Sequence, residues 1–401
     1  MNKKFLPAAI IMYLNFFLHG GGSAVLGQAV IKESLAASWG VDVMKITAIS
    51  AALGLGRLIA LPFAGPLSDK LGRKKSIMIG GCSYAIYLLG MIFAYNAGAN
   101  GGYSIAYICA ILGGIANSFL DTGIYPAVTE IFKKNPGVAT MGIKFFISIC
   151  QFCLPFFLGM AVVTLNGVTS YTRLFLVSGL AFLALAIMIL FVPMPDTDGE
   201  EAQEKEGLLQ SIKNTHFSIE SIAMILIGFT TTGTFQLWLN CAQNFAVDVV
   251  KWQDPSIMQS YYSMGTIIGL IVTALLTSKI KDVRFILAYP IICLATMVVV
   301  LMGKTQQLCV IGSFIIGWAG AGGLLQIATS VCNMLFPRIK GTVTALVMIA
   351  SSLCNYTILS AASGMTPSGV MVMNIVLTGV GVLLGLFVNM RYEKMVEAAA
   401  E

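Results

Sequence analysis

Three charged residues fall inside stretches that are otherwise apolar: Arg57, Asp121 and Lys144. One carboxylate near two cations is a chemical switch. Paired, it stays ionised; alone in an apolar setting it takes a proton, so displacing a partner can make it bind or release one. Counting along helices at about 1.5 Å per residue puts the three at comparable depth. Arg57 lies about 18 Å before Asp69, Asp121 about 13 Å before Glu130, and Lys144 about 9–12 Å into the segment that follows. A charge at such depth costs at least about 2.5–3.5 kcal/mol on insertion scales, so these side chains should pair or face water. The order of the segments predicts an Asp121–Lys144 pair across a helical hairpin, a pair that Arg57 can also join. The same pair could serve only to fix helix packing.

Neutral polar residues surround this group in the pattern. The first apolar stretch carries Asn15 and His19 at i, i+4, on one helical face, followed by Gly20, Gly21 and Gly22, which permit a bend or a close helix approach. His19 could bind substrate, carry a proton, or simply pack with its nitrogens hydrogen-bonded. Gln151 follows Lys144 in the same stretch. Later, Gln236, Asn240 and Asn244 form a stripe at i, i+4, i+8 beside Trp238, and Gln326 and Asn355 sit in two further apolar stretches. Amides donate and accept, which suits hydroxyl groups, and an indole offers a flat apolar face to a ring.

The elements that must position these residues follow from composition. At 57% hydrophobic and 10% charged, with a mean hydropathy of +0.85 over 401 residues, the chain belongs in a bilayer. Runs of about 20 apolar residues occur near 7–31, 43–65, 76–97, 103–131, 138–165, 172–193, 217–247, 256–278, 284–302, 307–335, 339–363 and 368–390. These are twelve expected membrane helices. The first run is too long for a cleavable leader and lacks its small-residue cleavage site, so it reads as a span. An acidic stretch, 194–216, separates six spans (1–193) from six (217–401) and reads as a solvated linker on the cytoplasmic side. Seventeen of the 24 Lys and Arg fall on one side, five on the other and two inside spans, which predicts both termini in the cytoplasm of a multi-pass plasma (inner) membrane protein. The net charge of +6 is then a topology signal and needs no nucleic acid to explain it.

The two sets of six repeat one another. Gly113, Phe132, Gly137, Ser148 and Cys150 each find an identical residue 204 positions downstream, at Gly317, Phe336, Gly341, Ser352 and Cys354. A fixed, ungapped offset across a hairpin predicts two homologous bundles. The charges break the symmetry, because Asp121 maps onto Leu325 and Lys144 onto Met348. The nine cysteines sit in apolar segments, and Cys150 and Cys153 lack the context of a redox pair. Neither a metal-ligand cluster nor a nucleotide loop or nucleophile elbow appears in a suitable setting, so no enzyme activity, metal or cofactor is expected.

The second span ends in Gly65-Pro66-Leu67-Ser68-Asp69-Lys70-Leu71-Gly72-Arg73-Lys74-Lys75. This resembles the signature loop of the major facilitator superfamily, at the place where that family has it, between spans two and three. The resemblance implies an all-α fold of twelve transmembrane helices in two pseudo-symmetric six-helix bundles, a central cavity and alternating access. It also implies a gate loop at Gly65, Asp69, Gly72 and Arg73. A degraded copy follows the eighth span, where Gly56 and Asp69 recur 213 residues on as Gly269 and Asp282. The segment Leu120-Asp121-Thr122-Gly123-Ile124-Tyr125-Pro126-Ala127-Val128 is similar to the fourth-helix motif of the fucose–proton symporter branch, which implies substrate and proton binding for Asp121. Tyr125 stands where that branch has Asn.

These readings converge on a secondary active transporter, working as a monomer on a small hydroxylated solute: a sugar, a sugar acid or a related organic acid. Proton-coupled uptake through Asp121 is expected, with efflux of drugs or metabolites as the alternative. Arg57, Lys144, Asn15, His19, Gln151, Gln236, Trp238, Asn240, Gln326 and Asn355 are the expected solute contacts.

Overall fold

The computed structural model describes residues 3–134, 136–165, 168–195, 219–277, 279–335 and 340–400. The chain divides into two compact units, Met1–Glu200 and Glu201–Glu401. Most of the acidic 194–216 stretch lies outside the described residues.

Backbone polar groups inside a bilayer must be satisfied within the segment, so apolar runs of this length become helices. In the first unit these are α1 (Leu6–Ala24), α2 (Ala29–Trp39), α3 (Thr47–Leu71), α4 (Arg73–Ala97), α5 (Gly102–Ile131), α6 (Pro136–Ala161) and α7 (Thr172–Phe191). A short antiparallel ribbon, β1 (Val163–Leu165) and β2 (Val168–Ser170), links α6 to α7. The second unit contains α8 (Ile219–Asp248), α9 (Ile257–Leu276), α10 (Asp282–Gly303), α11 (Gln306–Ile315), α12 (Leu324–Leu335), α13 (Lys340–Ala362) and α14 (Pro367–Ala400). Among the described residues, eleven spans are long and apolar enough to cross a membrane, six in the first unit and five in the second.

The tenth expected span, 307–335, is divided. A π-helical segment, Ile316–Ala321, follows α11, and the chain passes Gly322 and Gly323 before α12 begins. Gly323 has φ +141°, a conformation that L side chains rarely adopt. The first expected span is also broken. After α1 comes a 3₁₀ turn, Val25–Gly27, then an extended Gln28, then α2. Lys32, just past the end of that expected span, is fully buried on α2, where its Nζ donates to Thr47 Oγ1 at 2.8 Å. The last helix continues past Met390, the end of its expected span, to Ala400.

Helices in lipid approach through small residues. Gly56 of α3 and Gly114 of α5 lie backbone against backbone, and a Cβ on either would strike the other helix. The repeat reproduces this crossing: Gly265 and Gly269 of α9 lie against the backbone of the divided span at Phe314, Trp318 and Gly322, and Gly317 lies against Tyr262. Cys150 packs on Gly21 and its counterpart Cys354 packs on Gly233, so the 204-residue offset joins equivalent helix contacts in each unit. Polar ties reinforce the second unit. Thr232 donates to Ser351 at 2.8 Å, Thr234 shares a hydrogen bond with Thr378 at 2.8 Å, and Asn374 Nδ2 donates to the Thr234 carbonyl at 3.1 Å.

Candidate functional site

The Gly56–Gly114 crossing decides which charges meet. Arg57 follows Gly56 on α3, and Asp121 lies two turns beyond Gly114 on α5. Arg57 Nη2 donates to Asp121 Oδ2 at 2.7 Å, with the two side chains 29% and 24% exposed. This replaces the expected Asp121–Lys144 pair. The reason is packing: α5 lies along α3 and α4 over its length and touches α6, its partner in the hairpin, only slightly. A hydrogen bond to a charged group contributes about 1.5–3 kcal/mol, of the same order as the cost of holding one charge at this depth.

A second close approach brings in the remaining groups. Gly20 of α1 sits on the backbone of Ile147 on α6. His19 is therefore carried next to the face that bears Lys144, one turn before Ile147. Lys144 forms no salt bridge among the described residues, yet it stands within electrostatic reach of both Asp121 and Arg57. His19 lies near all three, its ring against Phe16 and Tyr84 at centroid distances of 5.7 and 5.4 Å. Tyr125, one turn past Asp121, meets Phe16 edge-on at 5.5 Å, which ties α5 to α1.

Several polar atoms here are buried without a hydrogen bond: His19 Nδ1, Arg57 Nε, Asn117 Oδ1, Asn15 Oδ1 and the hydroxyls of Tyr84 and Tyr87. Of these, the His19 and Asn117 side chains lie within hydrogen-bonding reach of each other. Asn117, one turn before Asp121 and within reach of His19, is absent from the sequence-based set. Its i, i+4 spacing from Asp121 was the available signal. Asn15 spends its amide on the Ile11 carbonyl at 2.9 Å. Gln151 is buried and directs Nε2 toward Ser23 Oγ at 3.5 Å.

The Gly65–Lys75 motif is mostly helix. Gly65 and Asp69 belong to the last turns of α3, and Gly72, at φ +89°, is the single residue between α3 and α4. Arg73 then turns back to Asp69 at 2.6 Å and reaches Glu130, on α5, at 3.8 Å. Glu130 is thus a third member of the cluster. In the degraded copy the glycine is missing and Lys281 faces Glu393 at 3.6 Å, with both side chains well exposed.

In the second unit, Asn240 Nδ2 donates to the Gln236 side chain at 3.1 Å, while Asn355 Oδ1 remains open. Trp238 is buried; its indole N–H donates to Ser313 at 3.2 Å and its ring packs on Gly312. The Gln326 side chain lies outside the described residues. Leu270 and Leu325 occupy the positions that correspond, at the 213- and 204-residue offsets, to Arg57 and Asp121, so the second unit repeats the scaffold without its ion pair.

The inner membrane transport protein YdiM of Escherichia coli strain K12 is 28% identical over 98% of this chain and 96% of its own length. Two solved structures share the fold: a D-xylose–proton symporter, with a TM-score of 0.74 at 15% identity over 96% of this chain and 97% of the other, and the E. coli fucose:proton symporter FucP, with 0.61 at 15% over 96% and 99%. At such identities the likeness speaks for architecture alone. The family model described as Major Facilitator Superfamily matches residues 12–355, across the ion pair, the α3–α4 junction and the divided span. This multi-pass membrane chain is therefore a transporter of the Major Facilitator Superfamily.

Proposed function

We propose that this transporter takes up a small hydroxylated solute, a sugar, sugar acid or related organic acid, together with protons and by alternating access. The observation that carries the reading is the Arg57–Asp121 ion pair, held inside helices long enough to cross a bilayer. A carboxylate that deep is stable as an ion only while its counter-charge stays; when a solute or a helix movement takes Arg57 away, Asp121 takes a proton. Asn15, His19, Asn117 and Gln151 then bind solute in the first unit. Within the second unit, Gln236, Asn240, Gln326 and Asn355 are the proposed solute-binding amides, with Trp238 beside them. Gly65, Asp69, Gly72 and Arg73 work with Glu130 as the gate. Both termini face the cytoplasm of the plasma membrane, in keeping with the bias of seventeen basic residues to five, and one chain suffices.

The test is uptake into proteoliposomes of sugars, sugar acids and hydroxy acids, with and without an imposed pH gradient. Accumulation that requires an acidic exterior supports the reading. Accumulation only when the gradient is reversed identifies an exporter, and equilibration unaffected by pH removes the proton.

A further inference from the structure

The fixed charges around Asp121 do not balance, and the imbalance points to a class of solute. Arg57 holds Asp121 at 2.7 Å. Lys144, on α6, stands within electrostatic reach of both and forms no salt bridge among the described residues. From α1 comes His19, and from α5 itself Asn117 and Tyr125. The other helix packed on α5, α4, carries charge only at Arg73, Lys74 and Lys75, its first three residues. Two cations thus share one carboxylate, and a proton on His19 would only add to the excess. In the second unit, the acidic residues in described helices are Glu220, Asp248, Asp282, Glu393 and Glu397, all near helix ends.

We propose that the solute is a hydroxylated monoanion whose carboxylate is taken by Lys144 and by the open Nε edge of Arg57, and that it travels with one proton and no net charge. This rests on the proton-coupled reading above. Empty, the site holds Arg57 and Lys144 against Asp121, a net charge of +1. The entering carboxylate draws Arg57 off Asp121, which accepts a proton from hydronium, giving the neutral acid and water. Loaded, two cations face the solute anion and the net charge is +1 again. A neutral sugar with a proton would leave +2, with no anion to offset it. A carrier whose charge is the same empty and loaded meets the same electrostatic barrier in both directions. Arg57 Nε supplies an unpaired donor for the carboxylate, and the neighbouring His19 and Asn117 side chains supply polar groups for the solute hydroxyls.

The experiment uses the full-length chain in proteoliposomes and size-matched probes: D-glucuronate and quinate against D-glucose and myo-inositol. Under an inward pH gradient the acids should accumulate and the neutral polyols should not. A potassium diffusion potential of 100 mV, negative inside, should leave accumulation of the acids unchanged. One uncompensated charge would instead shift it about fifty-fold, from about 2.3 kcal/mol per charge per 100 mV. Lys144→Met should abolish acid uptake and Lys144→Arg should restore it, with detergent elution profiles confirming that both fold. Uptake of neutral polyols with a fifty-fold voltage response overturns the monoanion while leaving proton coupling intact. Absence of pH-driven uptake for every probe overturns both readings, as would unimpaired acid uptake by a folded Lys144→Met protein overturn the role of Lys144.

Discussion

Replacing Asp121 with Asn separates the two tasks assigned to the ion pair. The substitution keeps the shape of the side chain and its place beside Arg57 Nη2, now 2.7 Å from a carboxylate oxygen, but removes the charge and the site of protonation. The pair is about three-quarters buried, so losing a charge-assisted hydrogen bond should cost about 1–3 kcal/mol, visible as a modest fall in melting temperature of the detergent-solubilised protein. The effect on transport should be total. With one proton per solute, a pH difference of one unit supports about tenfold accumulation, about 1.36 kcal/mol. Asp121→Asn should bring that ratio to about one. Exchange of labelled for unlabelled solute needs no net proton movement and should persist in the variant. Proteoliposomes measured under both regimes decide the matter: tenfold accumulation retained by the variant would remove Asp121 from coupling, and loss of exchange together with accumulation would make it a binding or folding residue.

The remaining expectations concern the scaffold and the partner cation. Arg57→Gln should weaken binding of an acidic solute at least tenfold and of a neutral one little, measured by competition uptake; equal losses would assign Arg57 to packing. Gly114→Ala places a methyl against the Leu53 carbonyl and should lower stability by about 1–3 kcal/mol, with a parallel loss of transport. Gly72→Ala forces a side chain into the φ +89° conformation at about 1–3 kcal/mol and should lower the thermal midpoint of the folded chain more than Gly65→Ala, whose added methyl meets open space.

Much of this architecture was legible before any coordinates. The membrane helices follow from run length, because a bilayer admits few alternatives to a helix. The repeat offset led to Cys150 and Cys354, which make equivalent contacts. That Arg57 and Asp121 stand at one level was readable by counting residues. Which two charges would join was not, since chain order favours neighbours in a hairpin whereas packing is set by where backbones can touch. The signal was present in Gly56 and Gly114, yet two glycines in separate spans announce a close approach without naming the partner. The same limit hid Glu130, brought to Arg73 by the α4–α5 packing, and Asn117. The divided tenth span was masked by composition: Gly317, Gly320, Gly322 and Gly323 lie in a run apolar enough to read as one helix, and average hydropathy has no sensitivity to hydrogen-bond pattern.

Gly72 is the entire connection between α3 and α4. A joint one residue long has no slack, so one helix cannot slide along its axis without dragging the other, and the freedom left is rotation about two dihedral angles. Arg73, at the first position past the joint, is anchored both to Asp69 before it and to Glu130 on α5. Lengthening the linkage by even a few residues would loosen this coupling while leaving the buried ion pair chemically intact, so insertions after Gly72 offer a way to uncouple mechanical transmission from solute recognition.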